Sequence, residues 1–248
     1  LPPLTNRENI SQPFYMEILT AINEEASCNS QVVSIATGAT LDELVKQVKL
    51  MHRQKRADGF IILYSETKDP VKDYLLKEKV PFVVIGAAVD NTNKVTYIDN
   101  DNKAIGQEAV FYLNSRGHQT IGFVTDDLFG QVGQERYQGY KDAVSELHIE
   151  SLPELVFSSQ TIDSFKKHLR TFLPTALVVK DDLVALRLIQ WVNNQGIKIP
   201  KDYSIISINN SSFAEIMHPF LTTYDINIQE LGKESVRKLV AILKDDNT

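Results

Sequence analysis

The chain has 248 residues, of which 43% are hydrophobic and 23% charged, and its 26 Lys and Arg against 32 Asp and Glu give a formal charge of −6. That length suits one large domain or two lobes with separate cores, and no apolar run reaches the roughly 20 residues of a membrane-spanning helix. The acidic balance excludes the basic footprint that gripping a phosphate backbone requires, and the single Cys28 excludes an intrachain disulfide and fits a reducing compartment.

Strand-like and helix-like segments alternate along the chain, which predicts parallel sheets with crossover helices. Phe14, Ile18, Ile22 and Ala26 recur at four-residue spacing in a helix over 13–26, opened by Pro13. Gln31 to Ala36 reads as the next strand. Leu41, Leu44, Val45, Val48 and Met51 mark a second helix with Thr40 as its cap, and Asp58-Gly59 turns it into a strand over 60–64. Strands follow at 82–85 and 95–98, then a helix over 102–114 ending at Arg116-Gly117-His118, and a strand over 120–125. The second half gives helices over 135–147, 162–172 and 183–194 and strands over 155–157 and 176–179. The final amphipathic stretch spans 231–243.

The run from Ile199 to Asp225, IPKDYSIISINNSSFAEIMHPFLTTYD, carries the most information. Its β-branched stretch over 204–208 suits a strand covered on both faces, and the polar NNSS stands where that strand ends. Ligands of open α/β sheets sit at such carboxyl ends.

IPKDYSIISINN and PFLTT resemble the "VPxDxSxxGFDD" and "PxLTT" signatures of the lac-repressor/galactose-repressor (LacI/GalR) family of bacterial transcription regulators. Other segments match in order: QPFYMEILTAINEEA resembles "NPFFxELLxGIExxA", IDNDNKAIGQEAVFYLNSRGHQTIGFV resembles "xDNxxxGxxAxxxLxxxGHxxIxxI", QERYQGYKDAV resembles "ERxxGYxxAL", PTALVVKDDLVAL resembles "PTAxxxxNDxxAxG", and LGKESVRKL resembles "LGxxAxxxL". The resemblance covers nearly the whole chain. It implies an α/β, periplasmic-binding-protein-like fold: two doubly wound parallel-sheet lobes joined by crossover strands, with a small molecule in the cleft. The lobes are expected at residues 1–98 with 227–248, and at 99–226, with crossovers near 98–102 and 209–227 and a third near the carboxyl end. Leu1 to Leu4 resembles only the end of the family's first strand, and the helix-turn-helix that reads operator DNA in the family is expected to lie outside these residues.

The resemblance also nominates a site. Arg136, in the "ERxxGY" position, would offer a fork of donors to adjacent hydroxyls; the alternative is a surface ion pair with a nearby Glu. Asn209 and Asn210 stand where the family carries an Asp pair, and amides there suit a neutral sugar, while a simple turn remains the other reading. Lys180 and Asp181 are read against the "ND" pair, Lys180 as a hydroxyl or carboxylate partner and Asp181 as a ligand contact or a helix cap. Phe14 and Tyr97 are the preferred stacking aromatics, ahead of Tyr15, Tyr64 and Phe129, and Trp191 is expected to serve as packing. No nucleophile elbow, phosphate loop or dinucleotide glycine pattern appears, the five histidines lack metal-ligand spacing, and the SxxK at Ser164 to Lys167 lies on an amphipathic helix. Neither an enzyme nor a cofactor is expected. Two functions remain: the effector-binding and dimerisation core of a repressor, acting as a homodimer in the cytoplasm on operator DNA, or the solute receptor of a sugar transporter. Within the family, the SINNSSFAEIMHPFLTTYDIN wording is similar to maltose-operon repressors of Gram-positive bacteria, which implies maltose or a maltodextrin as effector.

Overall fold

In the computed structural model, which describes residues 1–2, 13–89, 94–126 and 130–245, the chain folds as two compact units. Unit 1 takes residues 1–100 and 227–248, and unit 2 is the continuous stretch 101–226. The chain leaves unit 1 between Asn100 and Asp101 and returns between Ile226 and Asn227. No further passage between the units, such as the third crossover expected near the carboxyl end, occurs among the described residues.

Unit 1 runs α1 (Pro13–Cys28), α2 (Leu41–Arg53), β1 (Phe60–Ile62), α3 (Pro70–Lys77), β2 (Phe82–Ile85), β3 (Thr96–Ile98) and, after unit 2, α9 (Ile228–Asp245). Its sheet is parallel, in the order β1-β2-β3, with Phe60 beside Phe82 and Val84 beside Tyr97. Thr40 caps α2 by accepting from the Glu43 N–H. Helix α3 begins with the Asp69 carboxylate accepting from the Val71 N–H and Pro70 in its first turn, a start signal legible in the sequence that the reading above passed over. Helix α9 lies against α1, and Arg237 reaches both carboxylate oxygens of Glu25 at 3.2 Å.

The strand expected over 31–36 is absent. These residues join no ladder, and Val32 and Ile35 are 93% and 55% exposed. A cavity of about 410 Å³, lined by Ile22, Val33, Ile61 and Val240 among others, lies between this segment and β1. β-branched residues make a strand only when a neighbouring edge takes up their backbone groups, and here the neighbouring edge is out of reach. The strand end expected at Leu1 to Leu4 falls partly outside the described residues.

Unit 2 runs α4 (Asn102–Ser115), β4 (Ile121–Thr125), α5 (Gln131–Glu146), β5 (Leu155–Val156), α6 (Ile162–Phe172), β6 (Ala176–Val179), α7 (Asp182–Asn194), β7 (Ser204–Asn209), α8 (Ser212–Ile216) and β8 (Thr223–Asp225). Its five strands are parallel in the order β5-β4-β6-β7-β8. The chain therefore moves outward from β4 in both directions, the doubly wound pattern. Side chains of β6 alternate between faces: Ala176 and Val178 meet Ala109, Phe123 and Val144 on the α4–α5 side, while Leu177 and Val179 meet Phe165, Leu188 and Val192 on the α6–α7 side. Covering both faces explains why these strands read as unbroken apolar runs. Trp191 packs edge-on against Phe157 and Phe165, as its helix position suggested.

Helices α4 and α5 approach so closely that backbone meets backbone. A methyl group built on Gly139 would stand 1.9 Å from the Lys103 carbonyl oxygen, and one on Gly106 would stand 2.1 Å from that of Arg136. Tyr140, next in sequence, is fully buried; its hydroxyl donates to the Ile121 carbonyl and accepts from the Leu152 N–H. Burial pushes that phenol up to about 12. The "GY" of the motif is thus a close-approach glycine and an anchoring phenol. Gly139→Ala should destabilise the protein by about 2–3 kcal/mol, since neither helix backbone can yield locally; denaturant unfolding checks this, with an exposed helical Ala substitution as the control.

Candidate functional site

Where β4 and β6 lie side by side while their following connections diverge, a doubly wound sheet opens a crevice at its carboxyl edge. In unit 2 that edge is built by Asp126 after β4, Lys180 and Asp181 after β6, and Asn209 at the end of β7.

Arg136, on the second turn of α5, is 5% exposed. Its Nε donates to Asn102 Oδ1 at 3.1 Å and its Nη1 to the Lys180 carbonyl oxygen, while Nη1 and Nη2 stand 3.5 and 3.4 Å from Asn209 Oδ1. A guanidinium removed from water needs acceptors for its donors, and these come from the start of α4, the end of β6 and the end of β7. The surface ion pair considered for Arg136 is therefore not what the fold builds. The Gly106 and Gly139 contact lets α5 settle against α4 so that Arg136 reaches Asn102, which is itself 1% exposed.

Lys180 Nζ pairs with the Asp126 carboxylate and lies 4.0 Å from that of Asp181. Asp181 caps α7, its Oδ1 accepting from the Val184 N–H at 2.8 Å. Burial raises the Asp181 pKa above the ordinary carboxylate range, against the opposing pull of Lys180 and the Val184 N–H; Asp126 adds to the rise and Arg136 opposes it.

Asn209 and Asn210 both take positive φ, 130° and 53°. The Asn209 side chain faces Arg136, whereas Asn210 is exposed and its backbone N–H donates to Thr223 Oγ1 at 3.1 Å. The structure thus gathers Arg136, Lys180, Asp181 and Asn209, with Asn210 serving the turn behind them.

The two aromatic candidates lie in unit 1. Phe14 sits half-buried in the first turn of α1 with its ring edge-to-face on Tyr15 at 5.4 Å. Tyr97, in β3, has its hydroxyl 3.5 Å from Nζ of Lys72, a buried lysine on α3. Tyr64 donates to Asp69 at 3.1 Å, and burial raises its phenol. Phe129 lies outside the described residues.

Sequence reasoning missed Asn102, Asp126, Asp182 and the Lys72 neighbourhood. For Asp182 the signal existed: counted from Pro174-Thr175-Ala176 or back from Ala185, the "ND" pair falls on Asp181 and Asp182, one residue beyond the Lys180 and Asp181 assigned to it. No sequence spacing connects Asn102 with Arg136 or Asp126 with Lys180.

The model of the periplasmic binding protein-like domain family matches residues 110–248. A solved structure named as a transcriptional regulator LacI from Bacillus cereus subsp. cytotoxis NVH 391-98 is 32% identical, covers 97% of this chain and 87% of its own, and superposes with a TM-score of 0.87. The chain belongs to the LacI family of transcriptional regulators. It is the effector-binding core of such a regulator, with the periplasmic-binding-protein-like fold. The HTH-type transcriptional regulator MalR of Staphylococcus xylosus is 27% identical over 97% of this chain and 72% of its own length. The ribose operon repressor of Haemophilus influenzae is 29% identical over 96% and 73%. Identity at this level does not separate one sugar from another. Among the described residues of this LacI-family core, no helix is long and apolar enough to cross a membrane, and no group of His, Cys, Asp and Glu is arranged to hold a metal ion.

The raised Asp181 pKa makes a pH prediction. Because the folded state holds this proton more tightly than the unfolded chain, the contribution of Asp181 to stability is full below the unfolded carboxylate pKa and is lost as pH rises through the folded one. Asp181→Asn keeps the cap acceptor and should match the parent near pH 4 but exceed it at pH 7. Urea midpoints of both proteins at the two pH values test this.

Proposed function

We propose that this LacI-family core binds a neutral oligosaccharide, maltose or a short maltodextrin, at the carboxyl edge of the unit 2 sheet. It does so as the homodimeric, cytoplasmic sensor of a repressor whose helix-turn-helix domain binds operator DNA. The observation that carries the reading is the buried Arg136, fixed by acceptors on three elements and turned toward the Asn209 amide at the point where the sheet diverges. A fixed fork of donors beside an amide that both donates and accepts matches vicinal hydroxyls.

Charge supports a neutral ligand. Lys180 is matched by Asp126 and Asp181, so a phosphate or carboxylate would have to break that arrangement or sit beside carboxylates. Asn209 in place of an acid offers no charge to a basic ligand. The SINNSSFAEIMHPFLTTYDIN wording, similar to that of maltose-operon repressors, is what favours maltose over other sugars. Repression in such a protein follows from effector binding one arrangement of the core more tightly than another and so shifting the DNA affinity of attached domains.

The test is a thermal-shift titration against maltose, maltotriose, glucose, ribose and a purine base. A bound sugar at a hundredfold excess over its dissociation constant stabilises the fold by about 2.7 kcal/mol; a saturable shift with the maltose series alone is expected, and a shift with ribose or the purine alone would overturn the maltose reading. Arg136→Ala, confirmed as folded, should weaken binding by about 1.5–3 kcal/mol through its lost charged hydrogen bonds.

The homodimer makes a separate prediction. Ile216, the last residue of α8, and Phe220, within the connection from α8 to β8, are 77% and 73% exposed, apolar surface that a second copy would cover. The double substitution Ile216→Asp and Phe220→Asp should shift the sedimentation coefficient from that of a dimer to that of a monomer.

A further inference from the structure

The Asp182 carboxylate is 1% exposed and is met by four donors. Oδ1 accepts from Ser207 Oγ and from Thr223 Oγ1, the latter at 2.8 Å; Oδ2 accepts from the Ser211 N–H at 2.7 Å and from Ser211 Oγ at 2.8 Å. The donors come from β7, from the turn that follows it, and from β8. One side chain at the first position of α7 therefore ties together three segments remote from it in sequence, and the helix N-terminus favours its negative charge.

What lies between those tethers is the turn that presents Asn209. Asn209 and Asn210 occupy consecutive positive-φ conformations; the φ of 53° at Asn210 is one that Asn tolerates, whereas the φ of 130° at Asn209 is rarely held by a non-glycine residue unless its surroundings fix it. Ser207 is fixed two residues before Asn209 and Ser211 two residues after it. Asn210 donates its N–H to Thr223 Oγ1, whose own proton goes to Asp182. The turn is clamped on both sides, and its product is the Asn209 amide 3.4 Å from Arg136.

We propose that Asp182 is the positioning residue of the effector site: without touching the ligand, it holds the turn over 207–211 in the strained form that turns Asn209 toward Arg136. This rests on the reading of Arg136 and Asn209 as effector contacts. The chemistry requires a carboxylate. An amide at position 182 could keep one oxygen for the Ser211 pair, but its NH2 would then face Ser207 and Thr223. The Thr223 hydroxyl already accepts from Asn210 and would have to receive a second donor and send its own proton elsewhere. Of the four bonds, the one from Thr223, the acceptor of the Asn210 N–H, is the first to fail.

The experiment compares the wild-type chain with Asp182→Asn and with Thr223→Val, which removes one donor to Asp182 and, with it, the acceptor of the Asn210 N–H. Hydrogen exchange is measured first, without ligand. Amides of Asn210 and Ser211 are expected to exchange about tenfold faster or more in Asp182→Asn; in Thr223→Val the Asn210 amide, stripped of its acceptor, is expected to speed up as well and the Ser211 amide to speed up less, while amides of β4 keep wild-type rates. Unchanged protection at Asn210 and Ser211 would overturn the proposal, and so would equal loss in β4, which marks a general stability role. Maltose-series titration follows on the folded variants, where affinity should fall about tenfold or more. A loosened turn with undiminished affinity in a protein that binds these sugars would also overturn it. If the wild type binds none of them, the sugar reading fails by itself, and the exchange result alone decides whether Asp182 sets the turn.

Discussion

Everything at the carboxyl edge of unit 2 depends on bringing one guanidinium out of water without leaving its donors unpaired. Arg136 meets that requirement only because three elements deliver acceptors to it at once: Asn102 from α4, the Lys180 carbonyl from β6 and the Asn209 amide from β7. Each delivery constrains the fold elsewhere. Helix α5 must touch α4 backbone to backbone, which only Gly106 and Gly139 allow. Strand β6 must end just before Lys180 so that the Lys180 carbonyl turns inward, and β7 must end in a backbone conformation that non-glycine residues rarely adopt.

The surrounding charges follow from the same economy of solvation. Lys180 is held by carboxylates on both neighbouring segments, and Asp181 is driven toward its neutral form by burial even while it caps a helix. Buried ionic groups of this sort add little to stability. They fix geometry, because each has few arrangements that satisfy all partners. A rigid donor fork and a rigid amide are of use to a receptor only if they are already in place when the ligand arrives.

Much of this was legible in the sequence, and for identifiable reasons. Helices with an apolar stripe and a capping residue, such as α2 behind Thr40, announce themselves because the periodicity and the cap are local. The strands of unit 2 were legible as unbroken apolar runs because both faces are covered. Arg136 and Asn209 could be named because each sits in an ordered motif. What was not legible is what depends on distant partners. Residues 31–36 have the composition of a strand but lack an adjoining edge, and composition says nothing about edges. Asp182 looks like the second residue of a cap until β7, the turn after it and β8 bring three hydroxyl side chains to it from 25 to 41 residues away. Asn102 and Asp126 are ordinary polar residues until a parallel sheet places them beside Arg136 and Lys180.

Unit 2 is one uninterrupted stretch of chain, whereas unit 1 is closed by α9, which lies at the far end of the sequence and packs against α1 at its beginning. Synthesis from the amino terminus therefore completes the inner unit first. Strands β1 to β3 emerge early but wait, with the apolar face that α9 will cover still bare, until unit 2 has been made in full. Unit 1 is then the last of the two to become stable, and the exposed interval of its early strands on the ribosome is set by the translation time of unit 2. Closing unit 1 across a folded insert carries a smaller entropic cost than closing it across a disordered chain of the same length, whose ends wander further apart. The order in which the two units acquire structure is thereby written into their connectivity.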